Sequence, residues 1–212
     1  MKNSLYNQYR TYTTIDLNAI CENGKIAKRT FSEQKILSVL KADAYGHGIA
    51  GVLPAYETFT DWYAVATIEE ALLVRQGSSK PVLLFGPVPE DKMIIAAQKD
   101  ITFTVGSVDY AFRLSEKMCA EGIQAKCHLK IDTGLNRSGI SWREYSTSFE
   151  DIVKIHNMKG LLIQGTYTHL ACGEGQLDWE IAQTKLQMYR YNQACEAIKR
   201  AGLPLGIRHC CS

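Results

Sequence analysis

Residues 36–48 read ILSVLKADAYGHG, an apolar run stopped by Lys41 and followed at once by Asp43, Tyr45, Gly46, His47 and Gly48. A continuous apolar run, with no period-two alternation, describes a strand covered on both faces. Lys41 stands where such a strand would end. Six further runs of the same character follow: WYAVATI (62–68), PVLLFG (81–86), ITFTV (101–105), KCHLKI (126–131), LLIQGTYTHL (161–170) and PLGIRHCC (204–211). Helix-like stretches separate them. In VDYAFRLSEKMCAEG, Ala111, Leu114 and Met118 recur at helical spacing and Gly122 follows as a stop. From Asp178 to Gly202 the pattern predicts a long helix with Ile181, Leu186, Tyr189 and Ala197 on one face, Asp178 as its cap, and Gly202 and Pro204 ending it. Strands alternating with helices imply a parallel sheet, because a right-handed helical crossover returns the chain to begin the next parallel strand.

A doubly wound sheet and a closed (β/α)8 barrel both satisfy that alternation, and the position of the unusual residues separates them. Lys41 follows the first run, the loop DTGLNRSG (132–139) the fifth, His169 lies at the end of the sixth and Ser212 follows the seventh. Active sites of (β/α)8 barrels are built on that face from several strands, whereas an open sheet draws mainly on the strands around one switch point. The predicted fold is therefore a (β/α)8 barrel of the TIM type, of which about seven strands are present. An earlier segment, YTTIDLNAI (12–20), alternates Ile15 and Leu17 with Thr14 and Asp16 and is expected to be a strand outside the parallel sheet, ahead of a helix over residues 19–30. The expected division is residues 1–20 as that separate strand segment and 21–212 as the barrel.

The chain has 212 residues, 46% hydrophobic and 22% charged, with a formal net charge of +2 and no basic block. That composition describes a globular protein and argues against nucleic acid or an anionic membrane as partner. No stretch has the length of a membrane span and the N-terminal decapeptide is too polar for a secretory signal, so a cytoplasmic location is expected. Seven cysteines, scattered without paired spacing, indicate neither a disulfide framework nor a metal site.

Alone, Lys41 is an ordinary strand-end lysine, His169 a satisfied core histidine and Arg137 a surface cation. Together they suggest more. An amine at the mouth of an apolar barrel is partly desolvated and can attack a carbonyl, the requirement for a Schiff base with pyridoxal phosphate. The glycines at 46 and 48 let backbone approach a phosphate. KADAYGHG (41–48), KIDTGLNRSG (130–139) and THLA (168–171) resemble, in order and spacing, three signature segments of the fold-type III, pyridoxal-phosphate-dependent alanine racemases. The resemblance covers nearly the whole chain, and the lysine motif is its most specific part.

The resemblance implies that Lys41 carries the cofactor and works as one of two acid/base catalysts, that Tyr45 and Ser212 contact the phosphate, that His169 packs against the pyridine ring, and that Arg137 bonds the phenolic oxygen and the substrate carboxylate. Lys130 shares strand parity with His128 and Asp132, and some racemases of this family carry a carbamylated lysine at the matching position; a bare amine paired with Asp132 is the alternative. The implied reaction interconverts L- and D-alanine, a step toward peptidoglycan precursors, in a homodimer whose partner subunit supplies a tyrosine as second base. An eighth strand and a β-domain containing that tyrosine are expected beyond Ser212, and residues 1–212 alone are expected to be inactive. A serine-preferring racemase shares every motif quoted. A non-catalytic pyridoxal-phosphate homeostasis barrel needs only the lysine and a phosphate site, and a barrel without cofactor leaves KADAYGHG unexplained.

Overall fold

The computed structural model describes residues 10–143 and 145–211. Seven parallel strands pair strictly in chain order: β1 (Leu37–Val39), β2 (Trp62–Val65), β3 (Val82–Leu84), β4 (Ile101–Val105), β5 (Ala125–Asp132), β7 (Leu161–His169) and β8 (Ile207–Cys211). A two-residue strand, β6 (Ile140–Ser141), pairs only with the end of β5. Chain order without reversal is the winding of a barrel; a doubly wound sheet reverses at its switch point. Among the described residues β1 and β8 each pair on one side only. Helices α3 (Ile49–Glu57), α4 (Ile68–Gly77), α5 (Met93–Gln98), α6 (Val108–Ala120), α7 (Tyr145–His156) and α8 (Asp178–Arg200) supply the crossovers.

The two faces of the sheet differ in chemistry. On β4 and β5, Ile101, Phe103, Val105, Cys127, Leu129 and Ile131 join one buried apolar cluster with Leu114 and Met118 of α6 and Ile198 of α8. The alternate positions Thr102, Thr104, His128, Lys130 and Asp132 are also buried, on the opposite face. There Thr104 and Tyr167 hydroxyls lie 3.0 Å apart, and Tyr167 stacks on His209 with ring centroids 4.7 Å apart. Lys130, Asp132 and His128 thus share one face, as their parity requires. A bulge between Cys127 and His128 shifts the register, so that His128 faces Gly165. A Cβ on Gly165 would stand 2.7 Å from the His128 ring, which is why that strand position has no side chain.

Two expectations change. Residues 11–16 form no strand, although they do lie outside the sheet; Asp16 caps α1 (Leu17–Thr30), its Oδ1 accepting from the Asn18 and Ala19 amides. A short polar segment gains more from capping a helix than from extension when it pairs with no strand. α1 runs through the expected boundary at residue 20, and Ile15 and Ile20 pack against the barrel core. On α8 only Ala197 of the expected apolar face is buried: Tyr189 is 61% exposed, Leu186 41% and Ile181 37%, while Gln187, Tyr191, Ala194, Cys195 and Ile198 join Ala197 inside. The cap also differs: Asp178 begins the helix, and Glu180 accepts from the Gln176 and Leu177 amides.

Candidate active site

Lys41 begins a five-residue helical turn, α2 (Lys41–Tyr45), that winds left-handed: Ala42, Asp43, Ala44 and Tyr45 have φ of 53°, 53°, 56° and 56°. This differs from the open glycine loop that Gly46 and Gly48 suggest. L-residues pay for this conformation with roughly 1–2 kcal/mol each, because Cβ crowds the following carbonyl. Hydrogen bonds hold the turn in place. Asp43 donates its amide to Glu70 Oε1 at 3.1 Å and accepts the Ile49 amide on Oδ1 at 2.7 Å. The other Glu70 oxygen accepts the Ala66 and Thr67 amides, so one carboxylate ties the turn to the N-terminus of α4. The turn fixes where the chain leaves β1, and Tyr45, 60% exposed, places its ring centroid 5.9 Å from Lys41 Nζ.

The DTGLNRSG loop folds back on its own strand. Asp132 Oδ1 accepts the amides of Gly134 and Asn136 at 2.8 and 3.1 Å, and β6 then pairs with the strand end through Ile131 and Asp132. Gly139 makes the return possible: its φ is +125°, and a Cβ there would lie 2.9 Å from the Asp132 amide nitrogen. The return sets Ser138 over Lys130, whose Nζ donates to Ser138 Oγ at 2.7 Å and stands 5.7 Å from the Tyr167 ring centroid. The alternative pairing of a bare Lys130 with Asp132 is absent among the described residues, because the carboxylate is turned to the loop amides. Thr133 and Thr168 hydroxyls, 2.8 Å apart, link this loop to the end of β7, where His169 sits.

Lys41, Lys130, Arg137 and His169 converge at this rim. Burial first, then Arg137 and Lys41, hold the Lys130 ammonium below its ordinary range, with Asp132 opposing. Burial, then Arg137, Lys130 and Lys41, lower His169 as well. Several cations around a half-buried mouth, with one nearby carboxylate already engaged by amides, make a site for an anionic ligand. The donor set suits a phosphorylated aldehyde: a primary amine for the carbonyl, cations and an exposed tyrosine for the anionic groups. Ser212 lies outside the described residues. Ser138, Glu70 and the buried Gln187 were not singled out from the sequence. Glu70 was detectable as the last residue of the Thr67–Glu70 capping box, and Ser138 only through the fold-back.

A family profile described as alanine racemase, N-terminal domain, matches residues 15–212. Alanine racemase 2 of Caldanaerobacter subterraneus subsp. tengcongensis is 32% identical over 202 residues, covering 94% of this chain and 51% of the relative. The solved alanine racemase of Clostridium difficile 630 superposes with a TM-score of 0.80 at 30% identity, over 92% of this chain and 50% of that one. A histidine racemase from Leuconostoc mesenteroides subsp. sake gives a TM-score of 0.77 at 25% identity, over 92% of this chain and 50% of its own. The chain spans about half the length of the curated relatives it matches. With strand order, the lysine at the end of β1 and the profile match in agreement, the chain belongs to the alanine racemase N-terminal domain family.

Proposed function

We propose that this chain is the pyridoxal-phosphate-binding barrel of an amino-acid racemase that interconverts L- and D-alanine in the cytoplasm. The observation that carries the reading is Lys41 at the end of β1, held by a left-handed turn beside Lys130, Arg137 and His169. When bound, the cofactor supplies an electron sink that acidifies the substrate Cα–H bond. Lys41 would hold the cofactor through Nζ, and its amine would be placed to take or return the substrate Cα proton on one face. Tyr45 and Ser212 would hold the phosphate, and His169 would pack against the ring. Arg137 would bond the phenolic oxygen and the substrate carboxylate, for which its planar fork is suited. A tyrosine from the partner subunit of a homodimer would serve the opposite face.

Lys130 is proposed to carry a carbamate, with a bare amine as the alternative. Burial, with Arg137 and Lys41 nearby, lowers its pKa, which raises the share of the neutral amine that can attack carbon dioxide. The nitrogen bonds the carbon and one N–H proton passes to solvent, leaving an anion that Ser138 and Arg137 can face. Alanine as substrate rests on the relatives' names; the histidine racemase neighbour has the same fold, so the fold alone does not choose the side chain.

Lys41→Ala in the full-length protein tests the assignment. Borohydride reduction followed by peptide mapping is expected to place a pyridoxyl group on Lys41 in the parent protein and on no lysine in the variant, with racemisation lost. A reduced adduct on a different lysine overturns it. Cofactor bound at Lys41 without turnover on any amino acid would favour the homeostasis barrel.

A further inference from the structure

We infer that Gln187 is a positioning residue that sets the Arg137 loop against His169, an inference that rests on the racemase reading for its catalytic consequence. Gln187 is 0% exposed, on the third turn of α8 and on its buried face. Its Oε1 accepts the Ala171 amide at 2.9 Å, and its Nε2 donates to Thr133 Oγ1 and to the His169 carbonyl, each at 3.2 Å. The three bonds fix the orientation of the amide, since reversing it would set N–H against N–H and oxygen against the carbonyl. Thr133 opens the loop that carries Arg137, and Ala171 and His169 belong to the end of β7 and the residues after it. One buried carboxamide therefore spans the two segments that meet at the site.

Its neighbours on α8 act in the same direction. Thr184, one turn earlier, donates to the Cys172 carbonyl at 2.8 Å, and Arg190, one turn later, donates to the Thr133 carbonyl at 3.1 Å. The Gly134 backbone seats against this face: a Cβ there would meet Arg190 and Gln183 at 3.4 Å and Gln187 at 3.6 Å. A buried amide in the middle of a helix otherwise costs stability, because every polar group must be partnered away from water. All its partners lie at the C-terminal rim of the sheet, where the functional side chains gather. A role confined to core packing would be filled better by leucine or methionine.

The test uses Gln187→Met, similar in volume and unable to make the three bonds, in the full-length protein. Amide exchange at Ala171 is expected to rise about 3- to 10-fold, the effect of removing one hydrogen bond, with exchange in the β4 amides unchanged. Turnover on alanine is expected to fall about 10- to 100-fold through kcat, as misplaced groups do. Thr133→Val should reproduce the kcat loss, Thr133→Ser should rescue it, and the double variant Gln187→Met with Thr133→Val should lose less than the two single losses combined. Unchanged Ala171 exchange overturns the clasp, and raised exchange with unchanged kcat overturns its bearing on the site. A parent protein without turnover sinks the racemase reading instead, and the exchange result then decides the clasp by itself.

Discussion

Ala42→Gly is expected to stabilise the protein, opposite to the usual effect of glycine in a helical segment. Ala42 is exposed, with φ 53° and ψ 49°, in the left-handed turn after Lys41. Removing its Cβ relieves about 1–2 kcal/mol of crowding against the next carbonyl. The extra freedom of glycine in the unfolded chain returns about 0.5–1 kcal/mol of that gain. The net is a stabilisation of up to about 1.5 kcal/mol, which for a domain of this size raises the thermal midpoint by up to about 6 °C. Because Ala42 is exposed, no cavity term enters. Urea titration followed by far-ultraviolet circular dichroism, with parent and variant at equal concentration, measures the difference directly. A right-handed turn would give the opposite sign, a loss of about 0.5–1 kcal/mol. Destabilisation by Ala42→Gly at an unchanged m-value would refute the left-handed geometry, and with it the account of how Lys41 is aimed.

Asp43→Ala removes the carboxylate that accepts the Ile49 amide and is expected to cost about 1–2 kcal/mol, measured in the same titration, with weaker retention of pyridoxal phosphate on gel filtration. Crystals of the full-length protein grown with bicarbonate should show three additional atoms on Lys130 Nζ within reach of Arg137; a bare amine still bonded to Ser138 would remove the carbamate assignment. His128 and His209, whose ring nitrogens Nδ1 and Nε2 lie 2.9 Å apart, are lowered to about 3 and about 4, burial being the main cause for both and mutual repulsion adding for His128. The unfolded chain therefore binds more protons than the folded one below about pH 6.5, so this contribution is complete above that pH and is lost progressively as pH falls toward 4 and 3. Stability should drop by on the order of 1.4 kcal/mol per pH unit per histidine in that window, and His209→Phe should flatten the slope. An equal slope in parent and variant would show that the pair does not govern the acid limb.

The expected pattern held where it rested on covalent periodicity. Alternation of side chains along β5 was enough to group His128, Lys130 and Asp132, and the helical spacing of Ala111, Leu114 and Met118 was enough to bury them together on α6. On α8 the same reasoning was right for Ala197 and wrong for Ile181, Leu186 and Tyr189, which are exposed. Its polar and apolar residues are too mixed for periodicity to select an orientation, and Gln187 is buried for the sake of partners 16, 18 and 54 residues away. The N-terminal alternation at Ile15 and Leu17 likewise suggested a strand, but a strand needs an edge to pair with, and sequence alone does not place one.

By itself the sequence determined the succession of strands and helices, the parallel winding that follows from it, and the placement of Lys41, His169 and the loop carrying Arg137 after strand ends, because these depend on local spacing and on the geometry of crossover connections. Only the tertiary structure decided the hand of the turn after Lys41, the fold-back that lays Ser138 on Lys130, and the clasp of Gln187 across two loops. Those features depend on hydrogen bonds between distant segments, such as Asp43 to Glu70 and Thr133 to Gln187. Such partners become neighbours only after the barrel has brought its strand ends to one rim, where burial makes each unsatisfied polar group costly and so selects the arrangement that pairs them.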